Sequence, residues 1–378
     1  MTDYRHVAVP NLPGWDASWE TWRDYGLSWA SRYAGDLTAR VALAAPEASA
    51  TTGVAGRHLT VHAYREEVPG PRWRALYDAT WPAYRQWYLA GDAVQRPSLA
   101  ECRDALETHL PELVPTWERL AALTQDDPVA ARMLSMWGLP AFAVGCSQVV
   151  VPGGSPVLVR NYDYDQALFE GVIASTDYSG SRRVLGTSDL LWGLLDGMNE
   201  DGLTVSLTFG GRPGAGTGFG IPIVLRYLLE TCATVDEAVA ALRRIPVAQS
   251  YNVALADTRG GHATVFVAPG EPAAVSGLEA TTNHRLDRIE HPDRARQLRS
   301  GERQDLLRTL RAERGDADGL VAAMLAEPLR AEEFDAGFGT LYTAEYRPAE
   351  GVATWHWPDA SWSRTFADED GVRRVRLS

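Results

Sequence analysis

The chain changes character once, near residue 145, and that change limits what it can fold into. Before it, Trp, Tyr and Leu recur at helical intervals; after it, short β-branched runs alternate with Gly and Pro turns. In the first part, residues 72–89 and 99–123 carry apolar groups three and four apart, including Leu106, Leu110, Leu113 and Trp117. Prolines interrupt both stretches, which predicts several short helices. Residues 44–56 (AAPEASATTGVAG) have no apolar period and read as a linker. The segments 13–36 and 69–92 share Trp and Tyr, but two loosely similar copies do not establish a repeat.

In the second part, strands are expected at 147–151, 156–160, 203–209, 252–256, 263–268, 340–346 and 352–357. A helical pair interrupts them. Its first helix, 221–231, has Pro222 in the first turn, where no backbone donor is lost. The second opens on Thr234 and Glu237 in capping-box spacing. Strands, helices and strands again predict an α+β fold of packed layers.

A chain of 378 residues can bury a large core without covalent staples. Its three cysteines, Cys102, Cys146 and Cys232, stand at unrelated spacings that suggest neither disulfides nor a zinc site. The eight His residues show no metal-binding spacing, so neither a metal nor another cofactor is expected. No stretch reaches the roughly 18 apolar residues of a membrane span, and the start lacks a secretory pattern. A cytoplasmic protein is expected. The net charge of -13 repels phosphate backbones and anionic lipid, which excludes nucleic acid and membrane partners from the expectation. The stretch Gly210–Gly220 (GGRPGAGTGFG) has neither GxGxxG nor GKS/GKT spacing. It reads as a flap beside a cleft rather than a nucleotide loop.

A lone cysteine is usually a small buried apolar residue, and Cys102 and Cys232 keep that reading. Cys146 differs: it follows Gly145, opens the strand-rich part, and precedes the polar group Arg160, Asn161, Tyr162 and Asp163. Four pieces occur in order: Gly145-Cys146, then Arg160-Asn161-Tyr162-Asp163, then Gly197-Met198-Asn199-Glu200-Asp201-Gly202-Leu203, then Thr282-Asn283-His284. In this order they resemble the penicillin acyltransferase and linear-amide hydrolase group of N-terminal-nucleophile hydrolases, which also includes bile-salt hydrolases and acid-ceramidase-like enzymes. The resemblance covers most of the chain.

That resemblance implies a four-layer αββα fold and cleavage between Gly145 and Cys146. Residues 1–145 would form a helical pro-segment that stays bound, and residues 146–378 the catalytic core. Cys146 would be the nucleophile and its freed α-amine the base. An α-amine has a reference pKa of about 7.7 to 8.0, near enough to neutrality to accept the thiol proton. Gly145 would leave room for the strained turn of the cleavage reaction. Arg160 would stand beside the thiol, Asp163 would hold the new amine, and Asn283 would donate to the oxyanion. Thr208, Tyr162, Asn199 and Trp192 are candidates for the oxyanion hole or substrate binding. Trp192 reads first as a core aromatic and second as a pocket wall.

Two departures from the group stand out. Thr208 replaces a second asparagine, and the C-terminal arginine of bile-salt hydrolases is expected to give way near Gly339 and Thr340. The expected substrate is a small acyl amide, hydrolysed or passed to an amine acceptor. The expected partners are the two self-derived chains, with a homo-oligomer left open. The other class of reading is an uncut, non-catalytic binding protein on the same fold.

Overall fold

The structure, a computed structural model, describes residues 56–89, 96–140, 145–212, 216–286, 289–314 and 316–378. The segment 13–36 and all of the linker except Gly56 lie outside the described residues.

Two sheets form the centre. One has nine strands in the order β10-β9-β8-β7-β6-β5-β4-β1-β15 and the other six in the order β11-β2-β3-β12-β13-β14. The nine-stranded sheet comprises β1 (His58–Glu66), β4 (Val172–Thr176), β5 (Val184–Asp189), β6 (Gly193–Asn199), β7 (Leu203–Phe209), β8 (Tyr251–Asp257), β9 (His262–Ala268), β10 (Glu271–Ser276) and β15 (Gly371–Arg376). Its pairs are antiparallel except β1 with β4. The six-stranded sheet is antiparallel and comprises β2 (Gly145–Val151), β3 (Val157–Tyr164), β11 (Ala280–Thr281), β12 (Gly339–Arg347), β13 (Val352–Trp357) and β14 (Ala360–Thr365).

The helices are α1 (Pro71–Leu89), α2 (Leu99–His109), α3 (Val114–Leu123), α4 (Pro128–Leu134), α5 (Ile221–Thr231), α6 (Val235–Arg244), α7 (Pro292–Gln297), α8 (Ser300–Arg314) and α9 (Ala317–Met324). Strands β2 and β7 pack face to face between the sheets. Helices α5 and α6 cover the outer face of the larger sheet, and α8 and α9 that of the smaller. The layers are therefore α, β, β, α. With both faces of its sheet covered, β7 is buried at every position, as internal strands require.

The expected strands at 203–209 and 352–357 have the observed bounds, and the others differ by one to four residues. Pro222 lies in the first turn of α5. Thr234 caps α6 through the Glu237 amide, while the Glu237 carboxylate accepts from Ala233 N at 2.7 Å rather than from Thr234. The helical reading of the first part needs one correction: His58–Glu66 is a strand. Leu59, Val61 and Ala63 alternate as its buried apolar positions, and its partners β4 and β15 lie far along the sequence. Helices α1 to α4 share one apolar core with the sheets. No described helix is long and apolar enough to cross a membrane.

Candidate active site

Strand alternation builds the site. Cys146 on β2 lies opposite Tyr162 on β3, and Gln148 opposite Arg160, so these four share the face between the sheets. Gly145, Ser147, Asn161 and Asp163 take the other face, toward α8 and α9. Arg160 and Asp163 are thus on opposite faces and do not pair with each other.

Arg160 is fully buried and donates from Nη2 to the Cys146 thiol at 3.1 Å. Its other amino group donates to Leu195 O and to Asp196 Oδ2, both at 2.6 Å. Tyr342 donates to Asp196 at 2.6 Å and Tyr346 adds a further hydrogen bond. This carboxylate balances the guanidinium, so the thiol faces a neutralised cation. Burial pushes the Cys146 thiol above its usual range, against the opposing pull of Arg160. The raised thiol favours the protonated form, so a base assists the formation of thiolate.

The Cys146 backbone N–H donates to Asn283 Oδ1 at 3.0 Å. Arg303, from the first turn of α8, donates to the same oxygen at 2.8 Å and to Asp163 Oδ2 at 2.7 Å. Two donors converging on one atom fix the amide orientation of Asn283, whose Nδ2 donates to Phe209 O at 3.1 Å. Thr340 donates to Asp163 Oδ1 at 2.6 Å. Asp163 thus reaches the Cys146 nitrogen only through Arg303 and Asn283. The Thr282-Asn283-His284 run is anchored on the start of α8, where Thr282 donates to Ser300 O at 2.7 Å and His284 Nδ1 lies 2.7 Å from Ser300 Oγ.

Gly145 is extended strand rather than a left-handed turn, and it is needed for space: a Cβ there would lie 2.3 Å from the Phe338 ring. A cavity of about 130 Å³ adjoins Arg303, Phe338, Arg330 and Pro328.

The remaining candidates have structural partners. Thr208 spends its one hydroxyl proton on Thr282 O at 2.7 Å and accepts from Asn252 at 3.0 Å, so it has none left for an oxyanion. Asn199 donates to Leu229 O and Cys232 O, at 2.8 and 2.7 Å, and accepts from Leu203 N, which ties the β6–β7 turn to the end of α5. Trp192 is buried in the core and donates to Leu134 O at 2.9 Å. Tyr162 remains beside the thiol, its hydroxyl buried with no hydrogen-bond partner. The stretch Gly210–Gly220 is tied down at its described ends, Gly210 N to Ser250 O and Gly216 N to Ala248 O, both at 2.8 Å; residues 213–215 lie outside the described residues.

Sequence reasoning missed Asp196 and Arg303. The signal for Asp196 was a lone acid within an apolar strand, which must find a partner when buried. Arg303 carried no comparable mark among the many charges of α8.

Three solved structures align over the fold. A conjugated bile acid hydrolase from Clostridium perfringens is 12% identical, over 62% of this chain and 97% of its own, with a TM-score of 0.42. A Caenorhabditis elegans N-acylethanolamine-hydrolyzing acid amidase ortholog is 17% identical, over 57% and 98%, with a TM-score of 0.41. Penicillin V acylase from Agrobacterium tumefaciens is 14% identical, over 62% and 92%, with a TM-score of 0.36. No curated protein matches the chain significantly. With a family match over residues 150–362, more than half of its length, the chain belongs to the acyl-coenzyme A:6-aminopenicillanic acid acyl-transferase family.

Proposed function

We propose that Cys146 is the nucleophile of a self-processing enzyme that cleaves a linear amide. The observation that carries this reading is the double hold on one residue: Arg160 at 3.1 Å from the thiol and Asn283 Oδ1 at 3.0 Å from the backbone nitrogen. Membership in an acyltransferase family supports the reaction class.

In maturation the thiol attacks the Gly145 carbonyl carbon, the C–N bond to Cys146 breaks, and a thioester forms. Water hydrolyses that thioester, giving a Gly145 carboxylate and a Cys146 α-amine. The amine stays against Asn283 and accepts the thiol proton in the next reaction. The thiolate attacks the substrate amide, and the second N–H of the held Asn283 amide is the donor to the oxyanion. The amine then protonates the leaving nitrogen, and water attacks the acyl-enzyme. Asp163 and Arg303 act as positioning groups that hold Asn283. An amine acceptor in place of water is the second reading, favoured by the transferase name of the family.

The sequence supplies a direct test. All 36 of its basic residues are arginine, so an uncut chain carries one amine, at its start. Amine-selective labelling of the purified protein is expected to add two labels, on pieces of 145 and 233 residues, and one label on uncut Cys146→Ala. One label on active wild-type protein defeats self-processing. Hydroxylamine is expected to trap the acyl group from wild type, and never from Cys146→Ala.

A further inference from the structure

In the proposed maturation the chain is its own first substrate. The thioester between the Gly145 acyl group and the Cys146 sulfur has the bonds of an acyl-enzyme, and water hydrolyses both in the same way. Residue 145 therefore marks the place that an acyl group takes at this sulfur. Gly145 lies opposite Asp163 of β3, on the face turned toward α8 and α9. A Cβ on Gly145 would lie 2.3 and 2.8 Å from Cζ and Cε2 of Phe338, and 3.1 Å from the Asp163 Cβ. The two ring contacts are far inside the roughly 3.5–4.0 Å at which carbon atoms pack. On this side, the carbon next to the carbonyl has room for hydrogen and nothing larger.

The backbone that carries this ring is fixed on both sides. Before it, the 3-10 turn Phe334–Ala336 ends on Gly337 in the left-handed conformation, at φ 72°, which favours glycine. Gly337 N donates to Phe334 O at 3.0 Å, and Phe338 N to Glu333 O at 3.1 Å. After it, β12 begins at Gly339, and Thr340 ties that strand to Asp163. Phe338 also lines the cavity of about 130 Å³, with Leu298, Pro328, Ala331 and Arg303 among its neighbours. One phenyl ring thus touches both the acyl position and a space that could take a small alkyl branch.

We infer that Phe338 sets the acyl specificity of the Cys146 site: it admits acyl groups with a CH2 next to the carbonyl and excludes a branch in the place of an L side chain. This rests on the reading of Cys146 as a self-processing nucleophile. The three atoms nearest to such a branch belong to Phe338 and Asp163. The Asp163 contact, at 3.1 Å, is relieved by a shift of a few tenths of an ångström, whereas the ring contacts are not, so Phe338 is the selecting residue. Removing the ring joins the acyl position to the cavity and makes room for the branch. Arg160 and Asn283 hold the sulfur and nitrogen of Cys146 and are left in place by that change.

Self-processing supplies one test and turnover the other. Gly145→Ala is expected to cut itself more slowly than wild type by about tenfold or more, the scale of an overpacked methyl group. Adding Phe338→Ala is expected to restore cutting, read as the time course of the second amine label. In turnover, the probes are p-nitrophenyl hexanoate and the p-nitrophenyl 2-methylhexanoate whose methyl takes the place of an L side chain; these esters need no contact to a leaving amine. Cut wild type is expected to prefer the straight acyl group by about 10- to 200-fold in kcat/KM beyond the preference of free cysteine. In cut Phe338→Ala the ratio falls to that of free cysteine. Melting of each variant reports its folding, and Phe338→Leu, which also lacks Cζ, serves where Phe338→Ala does not fold. Equal ratios in wild type and the Phe338 variant overturn the inference. So does a Gly145→Ala chain that cuts as fast as wild type, or a double variant that stays uncut while Phe338→Ala alone is cut. Wild type that never cuts, or ester turnover that survives in Cys146→Ala, defeats the nucleophile reading instead.

Discussion

At Cys146 the surroundings pull in two directions: burial opposes a charged sulfur, and Arg160 favours one. What keeps Arg160 tolerable in the core is Asp196, which also takes the phenols of Tyr342 and Tyr346. Asp196→Ala leaves a buried guanidinium without its counter-charge, and breaking a buried pair in this way costs about 3–5 kcal/mol. Urea unfolding of the variant is the measurement, and a loss below about 1 kcal/mol, the scale of an exposed pair, contradicts the assignment. The residues that touch the thiol and its nitrogen, Arg160 and Asn283, were readable from motif order because each is fixed by its own short strand or turn. Asp196 and Arg303 were not, because each meets its partner only when a distant element packs, β6 across the sheet gap and α8 over the smaller sheet. Asn199 and Trp192 show the converse: a motif position or a conspicuous aromatic can serve backbone carbonyls alone.

Among the elements, α1 is fastened to the larger sheet by Tyr84, which contacts the carboxylates of Glu170 and Asp189. Glu170 titrates at about 7 in the fold and near 4.3 when unfolded, so the native state holds more protons between these values. Stability is therefore expected to fall as pH rises through that window, with Asp189 shifted in the same sense. The groups around the pair, Tyr84 of α1, Tyr64 of β1, and Tyr162 and Tyr164 of β3, stay protonated across it. Glu170→Gln is neutral throughout and is expected to flatten the slope, read as melting temperature against pH. An unchanged slope removes Glu170 as its source. Strands such as β7 and β13 were legible because β-branched and aromatic residues fill them. Strands β5 and β6 were not, since Gly186, Gly193 and Gly197 weaken their local preference. Those glycines serve close packing: a Cβ on Gly186 would lie 2.2 Å from Asp196 O on the next strand, and one on Gly193 or Gly197 would meet Pro222 or Leu229 of α5 at 2.4 and 2.9 Å.

For the whole molecule, the expected division at residue 145 does not coincide with a division of the core. The first part supplies β1 to the larger sheet and Trp73, Tyr88 and Trp117 to the shared apolar cluster. If the chain cuts itself, the two pieces are expected to travel as one species in native size-exclusion chromatography and to separate only in denaturant. Separation under native conditions contradicts the packing described for β1. The layer order was legible from the sequence of strands and helices, but the membership of β1 was not, because a parallel pairing leaves no mark in the local pattern.

The same strand bears on how the molecule is made. On the ribosome, β1 emerges well before β4 and about 300 residues before β15, the two strands that flank it. Until translation delivers them, its hydrogen-bonding edges have no native neighbour, and a strand left in that condition invites pairing with other chains. A nascent chain stalled before Gly371 would still have one of those edges open, so this sheet can close only late in the making of the chain.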